Sequence, residues 1–339
     1  MELQGPSPIT RTAPPKGASR WIPALGALRA YRRAWLPKDI LAGLVLTAIL
    51  VPVGMGYAEA AGLPAIYGLY ATIFPLIAYA IFGPSRILVL GPDSSLAAII
   101  AATIVPLAAG NAELLVSLAG MLAIFTGALC MVAGLAKFGF ITDLLSKPIR
   151  LGYLNGIALT VLVGQLPKIL GFDASGSGLI QEAISLVQGV LQGQTNWVTF
   201  AIGAASLALI LIFKRLWPKI PGVLIAVIGA TVVVGALDLA ATAGVSVVGP
   251  LPQGLPSLKV PLVPLEYWGP LLAGALAITL VSFADTSVLS RIFALRGGYK
   301  VNQDQEIIAL GAANVASGLF QGFSISSSSS VIGFAYFWV

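Results

Sequence analysis

Thirteen acidic residues are spread over 339 positions, and two of them stand in apolar surroundings. Asp93 lies in Gly91-Pro92-Asp93-Ser94-Ser95, between the apolar quartet Ile87 to Leu90 and the apolar run Leu96 to Pro106. Asp285 lies in Val281-Ser-Phe-Ala-Asp-Thr-Ser-Val-Leu-Ser290. An unpaired charge at the centre of a membrane helix costs about 2.5–3.5 kcal/mol on insertion scales, so each acid needs a reason to be there. For Asp93 two readings stand side by side, a cap on a helix start and a functional carboxylate. Asp285 has no cap to make. A carboxylate there suits carrying a proton or holding Na⁺, and either would offset the charge of an anion crossing the membrane.

The second class of candidate groups is hydroxyls and free backbone amides. Gly91-Pro92 breaks the preceding structure, proline suits a first helical turn, and Asp93 or a serine can cap it. The spacing predicts a short extended piece followed by a helix over 92–107, too short to cross a bilayer. Such a helix starts inside the membrane, where its amino-terminal end favours an anion. Gln321-Gly-Phe-Ser-Ile-Ser-Ser-Ser-Ser-Ser330 is its counterpart far down the chain. Serine-rich stretches are usually flexible linkers. This one lies between apolar segments at membrane depth, where hydroxyls and amides at a helix start suit an oxyanion. The candidate substrate-binding set is therefore Gly91, Pro92, Asp93, Ser94 and Ser95 with Ser326, Ser327, Ser328, Ser329 and Ser330. Val53 and Tyr57, in the first long apolar run, complete it. Tyr57, beside Gly54 and Gly56, also reads as packing, because small residues let a neighbouring helix approach.

The elements that must position these groups are membrane helices. The chain is 58% hydrophobic and 9% charged, with a mean hydropathy of +0.94, against about 25% charged residues in soluble domains. An all-α polytopic membrane protein follows. There is no histidine, which removes the usual triad base and the commonest metal ligand. With no nucleophile elbow and no metal-ligand cluster, the sequence argues against an enzyme and calls for no cofactor. Cys130, the single cysteine, cannot form an internal disulfide. No short cleavable signal precedes the first apolar run, which is long enough to span.

Candidate spans fall at about 40–58, 67–82, 92–107, 113–135, 147–170, 196–213, 220–237, 270–290 and 305–320, with a broken one from about 326. Residues 178–192 read as an interfacial helix, and Trp21 to Trp35 as an amphipathic helix on the membrane surface. Alternate threading puts all of the 19 basic residues except Lys168 and Lys259 on one side. The positive-inside rule then places the amino terminus in the cytosol and accounts for the net charge of +6 without a nucleic-acid partner. Residues 1–38 form a basic cytosolic tail, 39–238 a first repeat of seven spans, and 239–269 an extracellular loop. Residues 270–339 begin a second repeat with spans 8 to 10. The odd number of spans in the first repeat inverts the second.

The run Leu50-Val-Pro-Val-Gly-Met-Gly-Tyr-Ala-Glu-Ala-Ala-Gly-Leu-Pro-Ala-Ile-Tyr-Gly-Leu-Tyr70, closing with Phe82-Gly-Pro-Ser-Arg86, resembles the signature of the sulfate permease family, solute carrier family 26. Gly91-Pro92 resembles the start of that family's third helix. Gln305-Glu306-Ile-Ile-Ala-Leu-Gly-Ala-Ala-Asn314 with Phe320-Gln-Gly-Phe323 resembles its ninth helix and the approach to the tenth. The resemblance implies a seven-plus-seven inverted repeat with helices 3 and 10 broken behind short β segments. It also implies an anion held between those helices, a core domain moving against a gate domain, and a homodimer in the cell membrane. The implied substrates are sulfate, bicarbonate, chloride or dicarboxylates, some moved with H⁺ or Na⁺. Asp285 falls at the acid of the family's eighth helix. After Ser330 the family's usual basic residue and threonine give way to Val331-Ile-Gly-Phe-Ala-Tyr-Phe-Trp-Val339, and its last four spans and cytosolic STAS domain have no counterpart here. The expected function is secondary active anion transport. A nucleobase–cation symporter of the same architecture and a passive anion channel are the rivals.

Overall fold

Proline, asparagine and aspartate set where the apolar runs become helices. A computed structural model of the chain describes residues 22–85, 88–138, 155, 159, 162–163, 165–172, 179–217, 222–247, 254–297 and 301–327. Among these, α1 (Pro23–Ala30) is followed by α2 (Leu36–Ala60), α3 (Ile66–Phe82), α4 (Ser94–Ala108) and α5 (Ala112–Leu135). Then come α6 (Leu179–Leu191), α7 (Trp197–Leu216), α8 (Gly222–Ala236), the single turn α9 (Leu239–Ala243), α10 (Trp268–Gly297) and α11 (Gln303–Leu319). Pro37 occupies the first turn of α2, where its missing N–H costs nothing. Asn111, Asn196 and Asn302 start α5, α7 and α11, each accepting from the backbone N–H groups two and three residues on at 3.0–3.3 Å.

Among the described residues, Arg33–Ala60, Ala112–Leu135, Trp197–Leu216 and Leu265–Arg291 are long and apolar enough to cross a membrane. Helices α3, α4 and α8 are shorter and equally apolar. The fifth expected span lies mostly outside the described residues, as do residues 1–21, Arg86, Ser328 to Ser330 and residues 331–339. The interfacial reading of 178–192 corresponds to α6, which carries Ile180, Ile184, Val187 and Leu191 exposed along one side.

Packing separates a buried group from an exposed one. In α4, Leu96, Ile100 and Ile104 are buried at helical spacing, and Leu118 and Leu122 of α5, Leu271 and Ile278 of α10, and Ile307 and Leu310 of α11 join them in one core. Helices α5 and α11 meet backbone to backbone. A Cβ on Gly127 would lie 2.6 Å from the Gly311 carbonyl oxygen, Gly120 faces Gly318, and Gly134 faces Ile308. Small residues at seven-residue spacing are what permit this approach where lipid supplies no hydrophobic drive. By contrast, α7 has no buried residue and packs on α8 through Gly222, beside Phe213 and Ile210. The one strand pairing found among the described residues joins β1 (Leu90–Gly91) to β2 (Ser326–Ser327), antiparallel, with Leu90 opposite Ser327 and Gly91 opposite Ser326.

Candidate functional site

The β1–β2 pair brings the two breaks in the chain together. Gly91 and Ser326, expected at helix starts, are strand residues facing each other, so their backbones are engaged in pairing. Pro92 follows β1, and Asp93 adopts extended backbone as the N-cap of α4. Its Oδ2 accepts the Ser95 N–H at 3.0 Å and also accepts from the Ser95 hydroxyl. The cap is therefore real, and it is made by a residue only 9% exposed. Helix α4 has 15 residues. At about 1.5 Å per residue it is shorter than the roughly 30 Å hydrocarbon core and cannot cross it alone.

The capping acid does not stand alone. The Ser95 hydroxyl, which donates to Asp93, also lies 3.2 Å from Oδ2 of Asp285 on α10. Asp285 is half-buried, eighteenth in its helix. One residue on, Thr286 Oγ1 donates to Ser327 Oγ in β2 at 3.2 Å. Helix α10 thus touches the cap of α4 with one side chain and β2 with the next. Tyr57 of α2 lies close enough to Asp93 and Ser94 to interact with both. Gly54, one turn before it, packs against the Gly68 backbone of α3, and a Cβ there would reach Pro92 Cγ at 3.8 Å. Val53 is half-buried against the core.

The structure therefore gathers Tyr57, Pro92, Asp93, Ser94, Ser95, Asp285, Ser326 and Ser327, and Ser328 to Ser330 lie outside the described residues. Several groups at this place were not singled out from sequence. Thr286 is one, and Ser282 and Ser287 are others, their hydroxyls buried, like that of the expected Ser326, without a hydrogen-bond partner among the described residues. The available signal was the recurrence of Thr279, Ser282, Thr286 and Ser290 at spacings of three and four on the helix that carries Asp285. Asn314 is another. Its Oδ1 accepts from Ile325 N–H at 2.9 Å and its Nδ2 donates to Ile325 O at 3.0 Å, holding the residue that enters β2.

In chemical terms the site combines a helix start, hydroxyls and two acids. Hydroxyls can donate to an anion, but the expected free amides at the start of α4 are taken, because Ser95 N–H goes to Asp93 Oδ2 and the Leu96 and Ala97 N–H groups go to Asp93 O. Asp93, Ser95 and Asp285 present oxygens to one another and can hold a proton or a hard cation. Among the described residues no group of three or more His, Cys, Asp or Glu is placed to bind a metal.

Apolar membrane helices around a buried helix start, with a strand pair joining distant parts of the chain, define a polytopic membrane protein of transporter type. Residues 36–334 match the Sulfate permease family, and the chain belongs to that family. It is 41% identical over 317 residues to the probable sulfate transporter Rv1739c of Mycobacterium tuberculosis (strain ATCC 25618 / H37Rv), covering 94% of this chain and 56% of that protein. It is 33% identical over 336 residues to solute carrier family 26 member 6 of Homo sapiens, covering 91% of this chain and 43% of that protein. The chain thus spans about half the length of these curated relatives. A solved structure of SLC26A9 superposes with a TM-score of 0.87 at 25% identity, over 94% of this chain and 53% of that one. The transmembrane domain of a cyanobacterium bicarbonate transporter, BicA, superposes with a TM-score of 0.78 at 20% identity, over 91% of this chain and 78% of that one, which shows a shared fold. The family and these relatives are transporters, not enzymes.

Proposed function

We propose that this chain forms the transport domain of a secondary active anion transporter of the sulfate, bicarbonate or dicarboxylate class, with H⁺ or Na⁺ moving at Asp285 and Asp93. The observation that carries the reading is the count of protons between the two acids. Three oxygens, Asp93 Oδ2, Ser95 Oγ and Asp285 Oδ2, lie in one hydrogen-bonded chain. A serine hydroxyl has a single proton to donate. When both acids are ionised, Ser95 can satisfy one of them at a time. A proton on one carboxyl, or a Na⁺ between them, would let both acids share this chain and would lower the repulsion between them. The anion would lie beside this group, against the start of α4 and the serines of β2 and beyond, so that cation and anion neutralise each other during passage.

The remaining parts of the reading follow the family. The chain crosses the membrane many times with its amino terminus in the cytosol of the cell. Its two repeats are inverted, the group around α3, α4, α5, α10 and α11 moves against the α7–α8 pair, and two copies associate.

The test is uptake into proteoliposomes containing the intact gene product, offered labelled sulfate, bicarbonate, a dicarboxylate and uracil under imposed H⁺ and Na⁺ gradients. Saturable uptake of one anion driven by one gradient is expected. Uptake of uracil alone would assign a nucleobase symporter, and gradient-independent, unsaturable flux would assign a channel.

A further inference from the structure

Helix α11 carries four buried polar residues that the transport reading leaves unused: Gln305, Glu306, Asn314 and Ser317. In the first turns, the Tyr79 hydroxyl donates to Oε1 of Glu306, which is fully buried, and Gln305 Nε2 donates to Phe82 O at 2.9 Å. Both contacts hold the end of α3. Phe82 O is one of the carbonyls that a helix leaves unpaired at its carboxyl end, and Gln305 satisfies it. Immediately beyond, Gly83 N–H returns to Tyr79 O at 2.6 Å, and a Cβ at Gly83 would meet the Tyr79 ring at 2.7 Å. The chain leaving α3 toward β1 is thereby pressed onto the residue that Glu306 holds.

In the later turns the same helix holds the other break. Asn314 satisfies both backbone groups of Ile325, as described, and the Ser317 hydroxyl donates to Phe323 O at 2.6 Å. Ile325 and Phe323 are almost fully buried, so these backbone groups have no water to turn to. From Glu306 to Asn314 is two turns and a little more of rigid helix, about 12 Å. The β1–β2 pair has two residues per strand, far too little to fix a spacing by itself.

We propose that Gln305, Glu306, Asn314 and Ser317 are positioning residues that make α11 a ruler between the two half-sites. Its first turns set where α3 ends and β1 begins, and its later turns set where β2 begins. None of the four is assigned contact with the anion. The role rests on the transport reading for its consequence, since it matters to function only if the anion lies between the half-sites, but its structural part is measurable without transport.

The experiment is hydrogen–deuterium exchange together with uptake kinetics on the reconstituted intact gene product. Asn314→Ala should speed exchange of the peptide 322–327 by about tenfold or more while leaving 79–85 within about twofold, because the lost acceptor is that of Ile325 N–H. Glu306→Ala should do the reverse. In uptake, both should raise KM for the anion about tenfold with kcat within about threefold, a split that general loss of folded protein does not produce. Glu306→Gln, which keeps an acceptor for Tyr79, should bring both readouts back to within about twofold of wild type. If Glu306→Ala does not accumulate, Tyr79→Phe removes the same hydrogen bond from the other side and should show the same pattern. Exchange that rises equally in all peptides, or a Gln variant as impaired as the Ala variant, overturns the ruler. The localised exchange pattern in a protein that moves no anion would uphold the ruler and reject the transport reading.

Discussion

At the residue scale, the capping reading of Asp93 is compatible with the functional one. Asp93 caps α4, and the hydroxyl that shares in the cap reaches Asp285. The two roles separate by substitution. Asp93→Asn keeps a good N-cap oxygen and removes the charge, so thermal stability should stay near wild type, whereas Asp93→Ala should lose about 1 kcal/mol of it. Measured in detergent, an Asn variant that melts as early as the Ala variant would show that the charge, not the cap, stabilises the helix start. Ser95→Ala leaves the residue-95 N–H bond to Asp93 intact and removes only the bridge between the acids. The anion KM should then change by less than about threefold, while the H⁺ or Na⁺ concentration giving half-maximal uptake shifts by about tenfold or more. Asp285→Asn should transport, if at all, with no response to either gradient. Both acids were legible in the sequence because charge in an apolar run is conspicuous. The Ser95 bridge was not legible as a bridge, because serine is unremarkable beside serine and its second partner is 190 positions away.

At the element scale, the long apolar runs showed the helices directly, and the asparagine caps set their starts within a few residues of expectation. The strand pair was visible only as two breaks in apolar runs, since two-residue strands carry no periodicity and the pair joins positions far apart in the chain. The α5–α11 seam was hidden for a different reason. The chain has 38 glycines, and nothing local distinguishes Gly127 and Gly311, which touch across the seam, from Gly56, which has nothing within 4 Å of its Cβ position. These positions should respond in opposite directions. Gly127→Ala puts a methyl 2.6 Å from the Gly311 carbonyl oxygen and should cost roughly 1–3 kcal/mol by overpacking. Gly56→Ala meets open space inside a helix and should be neutral or stabilising by about 0.5–1 kcal/mol. Monodispersity and melting temperature of the two purified variants compare them on one scale, and equal destabilisation would mean that the seam is not held as tightly as its geometry requires.

At the scale of the whole molecule, the function turns on whether the two breaks are approached from opposite sides of the membrane. If they are, the start of α4 and the serine run meet at one midplane site, and a rocking motion can open that site to either side in turn. If they are not, the β1–β2 pair is a structural knot and the inverted repeat fails. The antiparallel register of the pair agrees with opposed approaches, and the charge pattern gives an independent argument, because all basic residues except Lys168 and Lys259 thread to one side. The two arguments meet in a labelling experiment. In a Cys130→Ala background, single cysteines at Lys259 and at the exposed Gln194 should react with a membrane-impermeant maleimide in intact cells. Cysteines at Lys16, Lys137 and Arg215 should react only after permeabilisation. Labelling of Lys259 and Lys137 from the same side would leave an even number of crossings between α5 and α10, turn the second repeat the right way up, and remove the geometric basis for alternating access between the two breaks.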